Sequence, residues 1–342
     1  MTRLIHKSAK IALILIYLVI LAGAVVRMTG SGMGCPDWPK CFGYYIPPTE
    51  AATLEFKTNH QYLKGQIIIA DETLWVAKND FVSTQTMTMN DWNAYTTHDY
   101  TRFNPTHTWV EYINRLLGAL SGVPILIIAG LSLGFWRRNK WITLVGLFTL
   151  FGIGFQGWLG KTVVDSNLAP HKITIHMVMA LVIVALLIFQ IVITQEKTSE
   201  IKKDKTFQYL ILFTLGLSLF QIILGTQVRQ LIDAQIKLVG DEPSLWLSSP
   251  TVIFYIHRSM SILVLLSNIV LFWRNRSLEF PFYRTTQWIL VMIGIEVITG
   301  MLMYYLDFPF TTQPIHLVMA TILFGLQFYL FMTYKKQTQN DL

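Results

Sequence analysis

Apolar residues gather in eight long runs along this chain. They are Ile11–Met28, Trp109–Leu133, Trp141–Leu159, Ile173–Thr194, Phe207–Val228, Val252–Trp273, Trp288–Leu306 and Ile315–Tyr334. A bilayer core about 30 Å thick is crossed by about 20 apolar residues of helix, so each run predicts one transmembrane helix. Gly and polar residues interrupt the third and seventh. The first run follows a basic start and ends on Ala22, Gly23 and Ala24, which also suits a signal peptide. A later helix repeats its tail, and this favours a retained span. A long polar stretch, residues 29–108, separates the first two runs. It holds short β-like runs at Gln66–Ala70 and Thr73–Ala77.

Composition sharpens the reading. Hydrophobic residues make up 53% and charged residues only 14%, against about 25% charged in soluble domains. This excludes an ordinary soluble enzyme, and a disordered chain as well. The net charge of +7 would suggest nucleic acid in a soluble protein; here it reads as a topology signal, with no nucleic-acid partner expected. Eight spans place both termini on one side. That side carries Arg3, Lys7, Lys10, Arg137, Arg138, Lys140, Lys197, Lys202, Lys203, Lys205, Arg274, Arg276, Arg284, Lys335 and Lys336. Positive charge in short segments marks the cytoplasm. The expected location is therefore the cell (inner) membrane, with cytoplasmic termini and segment 29–108 outside. Trp109, Trp136, Trp141, Trp158, Trp273 and Trp288 fall near span ends, as interfacial aromatics do.

The chain also repeats itself. IHMVMA at 175–180 resembles IHLVMA at 315–320, and YINR at 112–115 resembles YIHR at 255–258. Gly23 and Arg27 match Gly225 and Arg229, and Gln156 and Gly160 match Glu296 and Gly300. Helices one to four thus correspond to helices five to eight as a parallel repeat. The expected fold is all-α and polytopic: two pseudo-symmetric four-helix bundles, residues 1–194 and 207–342, joined by a cytoplasmic linker at 195–206.

Polar residues within spans are costly and are functional suspects. His176, His257 and His316 each lie a few residues past an outer helix start, about 4–9 Å inside the boundary. His257 and His316 occupy equivalent places in one bundle, the arrangement that bis-histidine haem ligation requires. The blander reading has them bonded to backbone carbonyls or gating a polar cavity. In the first bundle His176 matches His316, but Asn114 replaces the partner histidine. Iron there would be five-coordinate through His176, or a loop histidine would complete the set. His107, just before helix two, is the nearest candidate; His171 and His98 are weaker.

Glu111 shares a helix face with Asn114. It suits proton delivery at a haem rim, or else an ion pair with Arg115. Phe254 stands at the matching place in the second bundle. That asymmetry suggests a reactive first site and an electron-transfer second site. Arg27, Arg115, Arg229 and Arg258 end spans on the outer side and suit haem propionates, or simple snorkelling. Cys35 and Cys41 can close a small ring where disulfides persist. Structural and redox roles are both open, and haem attachment through Cys-x-x-Cys-His is absent.

With these residues in place, the chain resembles the haem A synthase family of membrane enzymes in cytochrome oxidase assembly. The resemblance spans nearly the whole chain apart from the long loop. It rests on RMTGSG at 27–32, CPDWPKC at 35–41, Glu111 with Tyr112 and Arg115, Gln156, Gly157 and Gly160, His176, His257 with Arg258, and His316. It implies haem b held by His257 and His316, and haem O as substrate near Glu111 and His176. It implies an oxidoreductase acting on a CH group: the C8 methyl of haem O becomes a formyl group by successive hydroxylations, with water supplying the oxygen. Haem O synthase and cytochrome oxidase assembly factors are the implied partners, with an unidentified electron acceptor. Asn114 departs from the family pattern, which has histidine there. The competing readings are a di-haem electron carrier without substrate chemistry and a transporter with parallel repeats.

Overall fold

The computed structural model describes residues 1–96, 103–196, 200–240 and 242–338. Eight of its helices are long and apolar enough to cross a membrane. They are α1 (Thr2–Met28), α2 (Pro105–Ser132), α3 (Lys140–Asp165), α4 (Pro170–Thr194), α5 (Lys205–Val239), α6 (Val252–Ser277), α7 (Tyr283–Tyr305) and α8 (Thr312–Thr338). The protein is an all-α multi-pass membrane protein, as the eight apolar runs predict.

Helix starts follow local chemistry. Asn104 caps α2, accepting from the amides of Thr106 and His107, with Pro105 in the first turn. Asn139 caps α3 and Asp204 caps α5 in the same way. The helices outrun the apolar runs at several ends. The largest case is α5, which continues about three turns beyond Val228 until Gly240 ends it at φ 78°. Hydropathy loses this stretch because it carries Gln227, Arg229, Gln230 and Asp233. Arg229 and Asp233 pair at i,i+4 (2.8 Å), which suits a continued helix.

Helix α1 packs on α2 and α4, and α3 packs on α2 and α4, closing a ring of four. Helices α5 to α8 make the same neighbour pattern: α5 on α6 and α8, α7 on α6 and α8. The two groups meet where α8 contacts α1 and α4, and α4 touches α5. Ile16, Ile128, Val184 and Leu187 centre the first core; Phe207, Ile211, Leu271, Ile293 and Leu330 centre the second. Lipid is as apolar as leucine, so close packing and internal hydrogen bonds hold such helices together. Gln327 on α8 donates to Asn268 on α6 at 3.0 Å, both fully buried. Exposed Phe148, Phe151, Ile262 and Trp288 suit lipid contact.

Between α1 and α2 the described residues form five short strands in two antiparallel sheets. Strand β1 (Gln61–Tyr62) pairs with β4 (Phe81–Val82); β3 (Thr73–Ala77) pairs with β2 (Ile67–Ala70) and β5 (Trp92–Ala94). The two β-like runs become the hairpin β2–β3, turning through Asp71 and Glu72, both at positive φ. Trp92, Tyr62 and Ile68 fill one small core, and Phe42, Leu54, Ile67 and Leu74 another.

Candidate functional site

Asn114, His176, His257 and His316 lie within the first three turns of α2, α4, α6 and α8. Each is matched by a glycine on the helix that precedes it in the chain. A methyl group at Gly225 would stand 3.2 Å from Cε1 of His257; at Gly300, 3.7 Å from Cε1 of His316; at Gly160, 3.4 Å from Cε1 of His176; at Gly23, 3.7 Å from Oδ1 of Asn114. The glycines paired by sequence thus each adjoin one of the four residues paired by sequence. A side chain at any of the four would crowd the group beside it.

One turn earlier on the same helix faces stand Gln221, Glu296, Gln156 and Val19. Gln221 donates from Nε2 to the His257 carbonyl at 2.8 Å, and Gln156 to the His176 carbonyl at 3.1 Å. The Gln156 amide nitrogen also lies 3.3 Å from Nε2 of His176. Glu296 places Oε2 at 3.2 Å from Nδ1 of His316, and Thr299 places Oγ1 at 2.9 Å from the same nitrogen. Every histidine therefore has a polar support one turn from its glycine. Asn114 has only Val19 there, and its buried Oδ1 has no hydrogen-bond partner.

The rings of His257 and His316 face each other with centroids 6.4 Å apart and planes at 71°. Two imidazoles sharing one metal through bonds of about 2.0 Å have ring centres roughly 6 Å apart. Helices α6 and α8 sit diagonally in their ring, each packed on α5 and α7, which is how bundles place ligands toward a common centre. Nδ1 of His257 is buried without a partner, so this nitrogen is uncommitted. The pair fits a haem iron.

Glu111 is buried, and neither oxygen is free. Oε1 accepts from Arg115 Nη2 at 2.5 Å, and Oε2 accepts from the Cys35 amide at 2.9 Å. Arg115 also donates to the carbonyls of Asp37 (2.7 Å) and Lys40 (3.0 Å). Cys35 and Cys41 form a disulfide with Cα atoms 4.8 Å apart. Thr108 Oγ1 donates to the Gly34 carbonyl at 2.8 Å, and the Gly34 backbone abuts that of His107 so closely that no side chain would fit. The disulfide loop is thus clamped to the first turns of α2 by Glu111 and Arg115. The i,i+4 ion pair read from sequence exists, but buried and shared with the loop.

The other candidates are placed differently. His107 lies inside α2, not before it, about 10 Å along the axis from Asn114. His171 is exposed in the first turn of α4, and His98 lies outside the described residues. Arg27 and Arg229 converge on one acid, Asp233, at 2.5 and 2.8 Å. Arg229 also donates to the Arg27 carbonyl at 3.3 Å and to Gln313 of α8. Arg258 is exposed, bonded to Tyr305 Oη at 3.1 Å and set over the Tyr304 ring.

The profile of the cytochrome oxidase assembly protein family matches residues 8–83 and 78–328. The chain belongs to this family. Among its relatives, the heme A synthase of Wolbachia pipientis wMel is 23% identical over 96% of this chain and 92% of its own. That of Wolbachia pipientis subsp. Culex pipiens (strain wPip) is 30% identical over 64% and 72%. That of Alkalihalophilus pseudofirmus is 23% identical over 96% and 97%. The resemblance read from the residues is therefore borne out across the family's length. Sequence reasoning noted Glu296 as a repeat match but gave it no role, and it missed Gln221 and Thr299. A signal was present: Gln or Glu four residues before Gly recurs before each of the three histidines.

Proposed function

We propose that this chain is a haem A synthase, an oxidoreductase that converts the C8 methyl of haem O to a formyl group. The observation that carries the reading is the His257–His316 pair, facing at 6.4 Å between two glycine-walled helices in a chain of this family. His257 and His316 would hold haem b, which when bound supplies a one-electron relay. His176 would hold the iron of the substrate haem O. The balance is one methyl plus one water to one formyl, releasing four electrons and four protons through the alcohol and the gem-diol. The electrons require an acceptor that accepts them one at a time.

The protein's own part is positional. Glu111 is a buried carboxylate one turn from Asn114 and is suited to take a proton from the reacting water or alcohol. Arg115 and the Cys35 amide hold it fixed. Of the four candidate arginines, Arg258 is the least committed to protein partners and is suited to a propionate. The two rings of helices would be pseudo-symmetric bundles, residues 1–194 and 207–342, with cytoplasmic termini, the strand-bearing segment outside the cell membrane, and haem O synthase with oxidase assembly factors as partners. The electron-carrier alternative has no support among the relatives.

Pigment analysis of the expressed protein tests this. Haem A or its hydroxylated precursor is expected; haem B alone would sink the proposal. Glu111→Gln keeps the shape and is expected to retain bound haem while formyl product falls at least 100-fold. Replacing His257 or His316 with Ala should abolish a low-spin bis-histidine spectrum.

A further inference from the structure

The two halves differ in how they hold their shared histidine. Thr299 has one hydroxyl proton, and two backbone acceptors are in reach of it: the Ile295 carbonyl at 2.8 Å and the Glu296 carbonyl at 3.1 Å from Oγ1. A hydroxyl that gives its proton to either carbonyl accepts toward His316. Nδ1 of His316 lies 2.9 Å from Thr299 Oγ1 and 3.2 Å from Glu296 Oε2, two oxygens that together favour the proton on Nδ1. Nε2 is then left with its lone pair free. Two oxygens on α7 thus favour one tautomer and ring angle before any metal arrives.

His176 has neither. Leu159 stands where Thr299 would be, and Gln156 where Glu296 would be. Its Nδ1 is buried without a partner. Metal-bound imidazoles that donate their second nitrogen to an acceptor are better ligands, and losing that acceptor typically costs 10–100-fold in affinity.

We propose that Glu296 and Thr299 are positioning residues that fasten His316 for a resident iron, and that their absence around His176 makes the first site a releasing one. A cofactor must stay through many turnovers, whereas a substrate haem must leave as product. The inference rests on His257 and His316 being haem b ligands.

The test uses the full-length purified protein. Haem b release is followed into excess apo-globin, alongside the midpoint potential of the low-spin haem. Thr299→Val should speed release of haem b 10–100-fold, and Thr299→Ser should restore it. Glu296→Gln weakens the acceptor and should tilt the iron toward ferrous; a tenfold tilt reads as a rise of about 59 mV. Gln156→Glu with Leu159→Thr should slow release from the first site. Wild-type release and potential in Thr299→Val and Glu296→Gln would overturn the role of the α7 pair. Unchanged first-site release in the double variant would overturn the explanation of the asymmetry. If the wild-type protein shows no low-spin haem, the ligand reading itself fails; if that signal is present and lost in His316→Ala but indifferent to the α7 variants, only this inference fails.

Discussion

At the scale of single residues, the three histidines and Asn114 are distinguished by what lies one turn from the adjoining glycine. Asn114 has Val19, with no donor or acceptor, and its own Oδ1 is buried and unpaired. A ligand at this position would lack the support that all three histidines enjoy. Asn114→His is nevertheless expected to add a low-spin component to the substrate site, read by absorbance, because Gly23 leaves space beside it. Gly225→Ala should do the reverse at the other site. Its new methyl would press on His257 from 3.2 Å, costing about 1–3 kcal/mol and shifting the low-spin spectrum. Gly118→Ala, with nothing within 4 Å, should leave that spectrum unmoved. The histidines, their pairing and the odd asparagine were legible in the sequence, because charged and polar groups stand out against apolar runs. Thr299 and Gln221 were not, because a threonine or glutamine in a span usually bonds its own helix.

At the scale of elements, the eight spans were legible for the reason that makes them spans, and their ends were not. Caps such as Asp204 and the polar last turns of α5 lie beyond the reach of hydropathy. Asp204 accepts from the Phe207 amide (2.6 Å) and from Arg274 Nη2 (2.7 Å), and Tyr334 Oη adjoins its backbone at 2.8 Å. The Phe207 amide, with help from Arg274, holds the Asp204 carboxyl below its ordinary range. Its folded value is the lower one, so its stabilisation is present above the ordinary carboxylate pKa and is lost as pH falls through the lowered value. Asp204→Ala is expected to cost about 1 kcal/mol, seen as a lower thermal midpoint at neutral pH, with the gap to wild type closing in acid. The docked disulfide loop was half legible. The two cysteines signalled a ring, but only the fold brings the Cys35 amide to Glu111, across a long stretch of intervening chain.

At the scale of the whole molecule, the repeat was visible in paired motifs, and the contacts between helices follow it. The junction between the halves does not. Arg27 and Arg229 are matched residues, yet both turn to one acid, Asp233, whose counterpart in the first half is Ser31. Asp233→Ala leaves two arginines facing each other with their side chains 19% and 16% exposed. The cost is on the order of 2 kcal/mol, below that of a fully buried pair because the acid itself is about a third exposed. Thermal unfolding in detergent should show it, with Asp233→Asn intermediate. Two sets of four helices with the same neighbour pattern carry a hazard: either set can pair with a copy of itself. Two first halves brought together this way would meet arginine to arginine with serine between them, and two second halves would carry two acids for two arginines. The single aspartate thus disfavours the pairing of two first halves, which bring arginines and no acid. If residues 1–195 and 196–342 are made as separate chains in one cell, they should co-purify as a mixed pair, while the first half alone should fail to self-associate.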